Sequence, residues 1–499
     1  MLIELLKPGI VIPWLLGMVF GVFVGATPGL TATMAVALIV PISFHLEDPN
    51  AGLAMIIGVS FTAIFAGDIP ATFLRIPGTP ASAAATLDGH EMARRGKGGL
   101  ALSLDLVCSC LGGLIGVSLL ILVAQPLARF ALRFSNFEYF WLGVLGLSMS
   151  ALVSRGNTAK GIFAALLGIL ISTVGMDIVS GTPRYTFGQV EMLKGLHFIP
   201  VMIGLFGLSE VLRNLRSGGT MATPSVPEKT KITLMAAAIT VWRRKWLVLQ
   251  SALVGTTIGA LPGAGADIAA WGAYGIAQKT SRSGKEFGTG CEAGVIAPTS
   301  ANNAAVAGAW IPALVFGVPG DAVTAIVLGA MTMYDILPGP QLFAAGGEQV
   351  KAIFAIALIT QFLLLPAGFC GIKAFGYILR LPRRFVLVGV VIFSVVGAYA
   401  FQNSMFDVYV MFAFGLIGYY LESQRVPLAP LILGLILGPL VERKLRAGLI
   451  GSGGDLTPMF TRPICALLVG ILLCAILTGP LLRAVSAWRA SRQSDDAKE

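Results

Sequence analysis

Apolar residues in this chain fall in long unbroken runs. They do not alternate as in a half-buried strand, nor form the one-sided stripe of a helix in a soluble domain. The runs cover about residues 10–26, 30–44, 51–74, 99–124, 137–154, 160–178 and 196–213, and then 246–260, 264–277, 289–317, 350–372, 385–402, 406–421, 427–441 and 463–484. Many reach the length that a helix needs to cross a hydrocarbon core of about 30 Å. A barrel would show short alternating segments instead. The pattern predicts an all-α polytopic membrane protein with about 12–15 membrane segments, the first two runs forming a hairpin. Simple counting puts the basic run Glu442-Arg443-Lys444-Leu445-Arg446 outside, against the usual charge bias. A short or re-entrant segment at 427–441 is therefore expected.

Composition narrows the class. Of 499 residues, 56% are hydrophobic and only 12% charged, against about 25% charged in soluble domains, which excludes a soluble enzyme. The net charge of +10 is read as Lys and Arg in cytoplasmic loops, so the bilayer is the expected partner and nucleic acid is not. The 61 Gly and 27 Pro predict broken helices and close backbone contacts. Cys108, Cys110, Cys291, Cys370, Cys465 and Cys474 follow neither metal nor disulfide spacing. His45, His90 and His197 lie far apart, so no metal or cofactor is expected. The N-terminal MLIELLKPG lacks the features of a signal peptide, so the first run is expected to be retained. No phosphate-binding loop of the ATPase type occurs.

The chain reads as two halves around a polar stretch. Residues 1–213 form a first membrane repeat, 214–245 a cytoplasmic linker, 246–445 a second repeat, and 446–499 a C-terminal segment with a last transmembrane helix and a tail whose Arg489 and Arg492 are taken as solvated. GVFVGATPG (21–29) and GTTIGALPG (255–263) share the form G-x-x-x-G-A-x-P-G. IPGTPASAAATLDG (76–89) is matched in the same order by VPGDAVTAIVLGA (318–330). The loops beside these landmarks exchange charge. HLEDPN (45–50) has no Lys or Arg and its counterpart QKTSRSGKEFG (278–288) has three; DGHEMARRGKG (88–98) has three and YDILPGPQLFAAGGEQ (334–349) has none. Under the positive-inside rule the halves take opposite orientations, an inverted-topology repeat of the kind found in secondary transporters.

Pro-Gly in an apolar run stops a helix, and irregular backbone at membrane depth survives only where protein buries it or a cavity needs it. The helix start after each break offers unpaired N–H groups, which favour anions. Thr27, Pro28, Gly29, Thr31 and Thr33 of the first break, Pro77, Gly78, Thr79 and Ser82 of the second, Pro262, Gly263 and Gly265 of the third, and Pro319, Gly320 and Thr324 of the fourth are the candidates for a cradle around a carboxylate-bearing solute. Asn302 and Asn303 are costly at this depth unless paired and suit a carboxylate or a cation. Intramembrane acids are functional candidates: Asp68, Asp105, Asp177, Asp267, Asp321 and Asp407. Asp68 and Asp267, nearest the landmarks, are the candidates for Na⁺ or proton coupling. Arg75 either attracts an anionic solute or snorkels to headgroups.

These stretches carry a resemblance. GATPGLTATMAVALIVPISF (25–44), IPATFLRIPGTPASAAATLDGHEMARRGKGG (69–99), GALPGAGADIAAWGAYGIAQK (259–279), ANNAAVAGAWIPALVFGVPG (301–320), ILPGPQLF (336–343) and GSGGDLTPMFTRP (451–463) make the chain resemble the large membrane subunit of the tripartite tricarboxylate transporters (TctA-like). The resemblance implies a multi-pass permease subunit of the bacterial inner membrane. It implies a small membrane partner of about four helices and a periplasmic solute-binding protein. It also implies uptake of organic carboxylates, such as tricarboxylates or dicarboxylates, driven by an ion gradient. Two positions depart from the family pattern: Pro298-Thr299-Ser300 stands where an acidic residue is expected before the Asn pair, and Arg75 where an uncharged one is. Both bear on ion coupling and substrate choice. Alternating access, of elevator type, is the expected mechanism. The other readings are an intramembrane aspartyl-type enzyme using Asp68 and Asp321, and a passive anion channel.

Overall fold

The computed structural model describes residues 2–153, 158–177, 179–216, 232–281, 283–344, 347–378 and 383–476. The centre of the polar linker and the basic tail fall outside them. The described chain is a bundle of helices with one two-residue-per-strand hairpin, Gly175–Met176 against Pro183–Arg184. Seven helices, among the described residues, are long and apolar enough to cross a membrane, and shorter apolar helices lie among them. The protein is an all-α polytopic membrane protein.

In the first half the helices are α1 (Pro8–Ala26), α2 (Ala32–Ser43), α3 (Pro49–Ala66), α4 (Asp68–Leu74), α5 (Ala83–Arg94), α6 (Gly98–Ala131), α7 (Asn136–Val153), α8 (Thr158–Ser172) and α9 (Phe198–Arg216), the last with a π-helical middle over Ile203–Leu208. The second half holds α10 (Leu234–Arg243), α11 (Lys245–Gly259), α12 (Gly265–Thr280), α13 (Glu292–Phe316), α14 (Ala322–Met333), α15 (Glu348–Ile378), α16 (Arg383–Gln402), α17 (Met405–Ser423), α18 (Leu428–Gly451) and α19 (Pro463–Ile476). α10 falls within the stretch read as linker and packs on α6.

Two helices form the centre. α3 is buried from Ala51 to its end and α13 along nearly all of its length. α1 lies along α3, and α11 along α13. Small residues permit both contacts: a side chain on Gly17 or Gly25 would strike the carbonyls of Met55 or Ala63, and one on Gly255 or Gly259 those of Ala301 or Ala305. α6 packs on α13 and α15 on α3, while α18 covers α7 and α8 and α9 covers α16 and α17.

The segment expected to be short or re-entrant is neither. α18 runs as one 24-residue helix through the basic run to Gly451. Its charges are met by the loop between α8 and α9. Arg446 pairs with Asp177 at 2.8 Å and with Glu442 at 2.9 Å, and Arg184 pairs with Glu442 at 2.8 Å. Asp177 of the loop and Glu442 of the helix itself thus hold Arg446, and Arg184 of the loop holds Glu442, so the run is docked on the loop as helix.

Candidate functional site

All four Pro-Gly segments are breaks between helices. Thr31 caps α2, its Oγ1 accepting from the Met34 amide at 3.1 Å. Asp321 caps α14 in a capping box with Thr324. Gly29 and Gly263 turn the chain at φ +90° and +83°, the left-handed region that glycine enters without strain. The breaks are then locked in pairs. Gly78 donates to the carbonyl of Gly67 at 3.0 Å and touches the carbonyl of Gly25; the Gly263 amide donates to the carbonyl of Gly320 at 2.7 Å, and Gly320 touches the carbonyl of Gly259. The corresponding glycines of the two halves thus make corresponding contacts.

Beside the locked breaks lies a cavity of about 340 Å³, within the range of small-molecule sites, roughly 300–1,000 Å³. Thr31, Thr33 and Thr79 of the first half line it together with Gly263, Gly265, Asp267 and Asp321 of the second. The remaining predicted residues stand apart from it. The Thr27 hydroxyl is spent on the carbonyl of Phe23 at 2.7 Å. Pro28 forms the turn, Pro77 is exposed, and Pro262, Pro319 and Gly320 belong to the breaks without lining the cavity. Arg75 sits exposed in a left-handed conformation past the end of α4. Asp407 is buried in the first turn of α17, and Asp177 belongs to the loop cluster.

Asp68, Asn302 and Asn303 are not at the cavity either. They meet Asp105, Ser82 and Ser109 in a buried cluster between α4, α6 and α13. Asp68 and Asp321, the pair of the enzyme reading, have separate surroundings: one belongs to this cluster, the other caps α14.

Sequence reasoning missed the charged wall of the cavity. Arg213 and Glu210 of α9 and Glu422 of α17 line it with Ser150 and Ser209. Arg213 bonds Glu210 one turn away and lies 3.7 Å from Glu422. Glu210 also accepts from Asn214 at 2.8 Å, whose amide reaches the carbonyl of Gly29 at 3.3 Å and so ties α9 to the first break. Among the described residues the cavity wall carries one guanidinium against four carboxylates, Glu210, Asp267, Asp321 and Glu422. An anion entering it meets a net negative field unless cations enter too.

A larger cavity of about 800 Å³ lies between the α8–α9 loop and α18. It is not the better candidate. None of the four Pro-Gly pairs of the breaks (28–29, 77–78, 262–263 and 319–320) is on its wall, and its acids Asp177 and Glu442 are engaged by Arg184 and Arg446.

Broken helices from two halves of an all-α bundle, meeting at one small polar cavity, define a polytopic membrane protein with interrupted helices. Comparison gives the family. Residues 11–433 match the model of the tripartite tricarboxylate transporter TctA family, and the chain belongs to that family. It is 34% identical over 462 residues to a 52.8 kDa protein of the TAR-I ttuC' 3' region of Agrobacterium vitis, covering 92% of this chain and 91% of that one. It is 38% identical over 224 residues to a protein of the TAR-II ttuC' 3' region of the same organism, covering 45% of this chain and 93% of the relative. No solved structure matches the chain.

Proposed function

We propose that this chain is the large permease subunit of a binding-protein-dependent secondary uptake system for organic carboxylates in the bacterial inner membrane. Its partners are a small membrane subunit of about four helices and a periplasmic solute-binding protein. Membership of a tripartite transporter family supports the partners. The observation that carries the reading is the cavity at the breaks, lined by Thr31, Thr33 and Thr79 from one half and Gly263, Gly265, Asp267 and Asp321 from the other.

In this reading the halves are inverted repeats, supported by the matched contacts of Gly25 with Gly78 and of Gly259 with Gly320. Threonine hydroxyls and backbone amides at the breaks hold the carboxylates of the solute, and Arg213 supplies the countercharge. The four carboxylates on the same wall are the reason that uptake is coupled: a polyanion is admitted only with protons or Na⁺. Asp267, in the first turn of α12 and on the cavity wall, is assigned one in this reading. Alternating access moves the breaks from one face to the other, and an elevator-like shift of one helical unit past the rest accomplishes it.

The test is uptake of radiolabelled citrate and succinate into proteoliposomes that hold all three subunits. An imposed proton or Na⁺ gradient is expected to drive accumulation, and its collapse to abolish it. Arg213→Gln is expected to reduce uptake by roughly 10–100-fold, the range for losing a charged hydrogen bond to a bound anion. Uptake indifferent to both gradients overturns coupling, and unchanged uptake by Arg213→Gln overturns the assigned cavity. The ligand of the cognate periplasmic binding protein then names the solute.

A further inference from the structure

The buried cluster between α4, α6 and α13 holds two carboxyl groups. Asp68 and Asp105 are each 1% exposed, and Asn302 and Asn303 are wholly buried. Asn302 Nδ2 donates to Asp68 Oδ2 at 3.2 Å, Ser109 Oγ donates to Asp105 Oδ1 at 3.1 Å, and Asn303 Nδ2 reaches the carbonyl of Ser109 at 3.4 Å. The Asp68 and Asp105 carboxyls are close enough to act on each other's charge. Yet, among the described residues, Asp68 Oδ1 and Asp105 Oδ2 receive no donor, and neither do the buried Asn303 Oδ1 and Ser300 Oγ. Neither acid has a cationic partner among the described residues; Cys108, on α6, is the other titratable group facing the pair. Two carboxylates this close in a dry site repel unless a positive charge sits between them.

The cluster also has an exit. Ser82 Oγ and Thr79 Oγ1 both lie against Gly67, the residue before Asp68, 2.7 and 2.6 Å from where a Cβ on Gly67 would stand; the two oxygens are 2.9 Å apart, and Thr79 is on the cavity wall. We propose that Asp68 and Asp105 hold one proton between them, and that the hydroxyls of Ser82 and Thr79 connect this proton to the solute cavity. Each hydroxyl gives up a proton as it receives another, so the relay is unchanged after a passage. In the transport reading proposed above, the pair is a coupling group beside Asp267. For coupling the sequence drew attention to Asp68 with Asp267; the fold supplies Asp105 as the partner of Asp68.

Infrared spectroscopy of the full chain in lipid nanodiscs at neutral pH tests this. The wild type minus Asp68→Asn/Asp105→Asn difference spectrum is expected to contain a protonated-carboxyl C=O band that shifts in D2O and survives replacement of choline chloride by NaCl. Thr79→Val and Ser82→Ala are expected to keep the band and slow its hydrogen–deuterium exchange at least several-fold. Should the double variant not fold, the isosteric single variants serve: each leaves one buried carboxyl and is expected to shift the band's frequency. Absence of the band, or an unchanged frequency in both singles, overturns the proposal. So does loss of the band on adding NaCl, which assigns the oxygens to Na⁺. Transport is not needed for these readings. Uptake indifferent to any gradient with the band present removes the coupling role and leaves the pair, whereas a missing band with gradient-driven uptake removes the pair alone.

Discussion

At the scale of single residues, the breaks depend on two contacts that only a hydrogen in place of a side chain allows. Gly320 lies against the carbonyl of Gly259 and the Cα and Cβ of Ala309, each 2.7 Å from where its own Cβ would stand. Gly78 has the equivalent place against Gly25 and Gly67. These neighbours are backbone or the first atom of a side chain, and cannot swing aside as the tip of a long side chain would. Gly320→Ala is therefore expected to destabilise the protein by about 1–3 kcal/mol, the range for overpacking a close-packed site, and Gly78→Ala by a similar amount. Thermal unfolding in detergent, read against Gly275→Ala on open space in α12, checks this. Midpoints equal to that control would show that the breaks tolerate separation.

At the scale of elements, the loop between α8 and α9 is fastened by charge. Asp177 accepts from Ser180 Oγ at 2.6 Å, from the Val179 amide at 3.1 Å and from Arg446 at 2.8 Å. Ser180 first, then the Val179 amide and Arg446, hold its carboxyl well below the usual carboxylate range. A lowered value in the folded state means that the contribution is complete above the unfolded value of about 3.9 and fades as pH falls through the folded one. The loop is thus expected to stay docked from pH 8 down to about 4 and to release only in stronger acid. Asp177→Asn is expected to weaken the docking at every pH. Limited proteolysis within 179–197 should rise several-fold in that variant at pH 7, and equal rates would refute the anchoring role. The same cluster explains what was legible in the sequence and what was not. Long apolar runs announced α1, α16 and α17 within two residues, and α6 and α15 except for their last six or seven, because length and hydropathy are local properties. α5 and α14, 12 residues each, passed as continuations of the Pro-Gly landmarks because they are too short to cross a membrane alone. The basic run of α18 misled because its partners Asp177 and Arg184 lie more than 250 residues away in the chain. Arg213 went unremarked for the same reason: Glu422, 3.7 Å from it, comes from the other half. Asp68 stood out as an intramembrane acid, but its pairing with Asp105 is a tertiary contact that spacing could not reveal.

At the scale of the whole molecule, orientation decides whether the two halves form one symmetric site. α1 on α3 matches α11 on α13, α6 on α13 matches α15 on α3, and α18 on α7 and α8 matches α9 on α16 and α17. Such exchange of partners is what two copies related by an axis in the membrane plane produce. If they are so related, the polar ends of equivalent helices face opposite sides, and the three basic residues of 88–98 and the uncharged counterpart 334–349 cannot share a compartment. Arg95 and Leu337 are exposed in these loops and suit substitution by cysteine one at a time, with the exposed Cys370 and Cys474 changed to Ser. A membrane-impermeant maleimide added to right-side-out and inverted vesicles is expected to label Arg95→Cys only in inverted vesicles and Leu337→Cys only in right-side-out ones. Labelling of both from one side would leave the matched contacts as coincidence of packing. The cavity would then be a junction of unlike segments, with no reason for its two walls to exchange roles during a transport cycle.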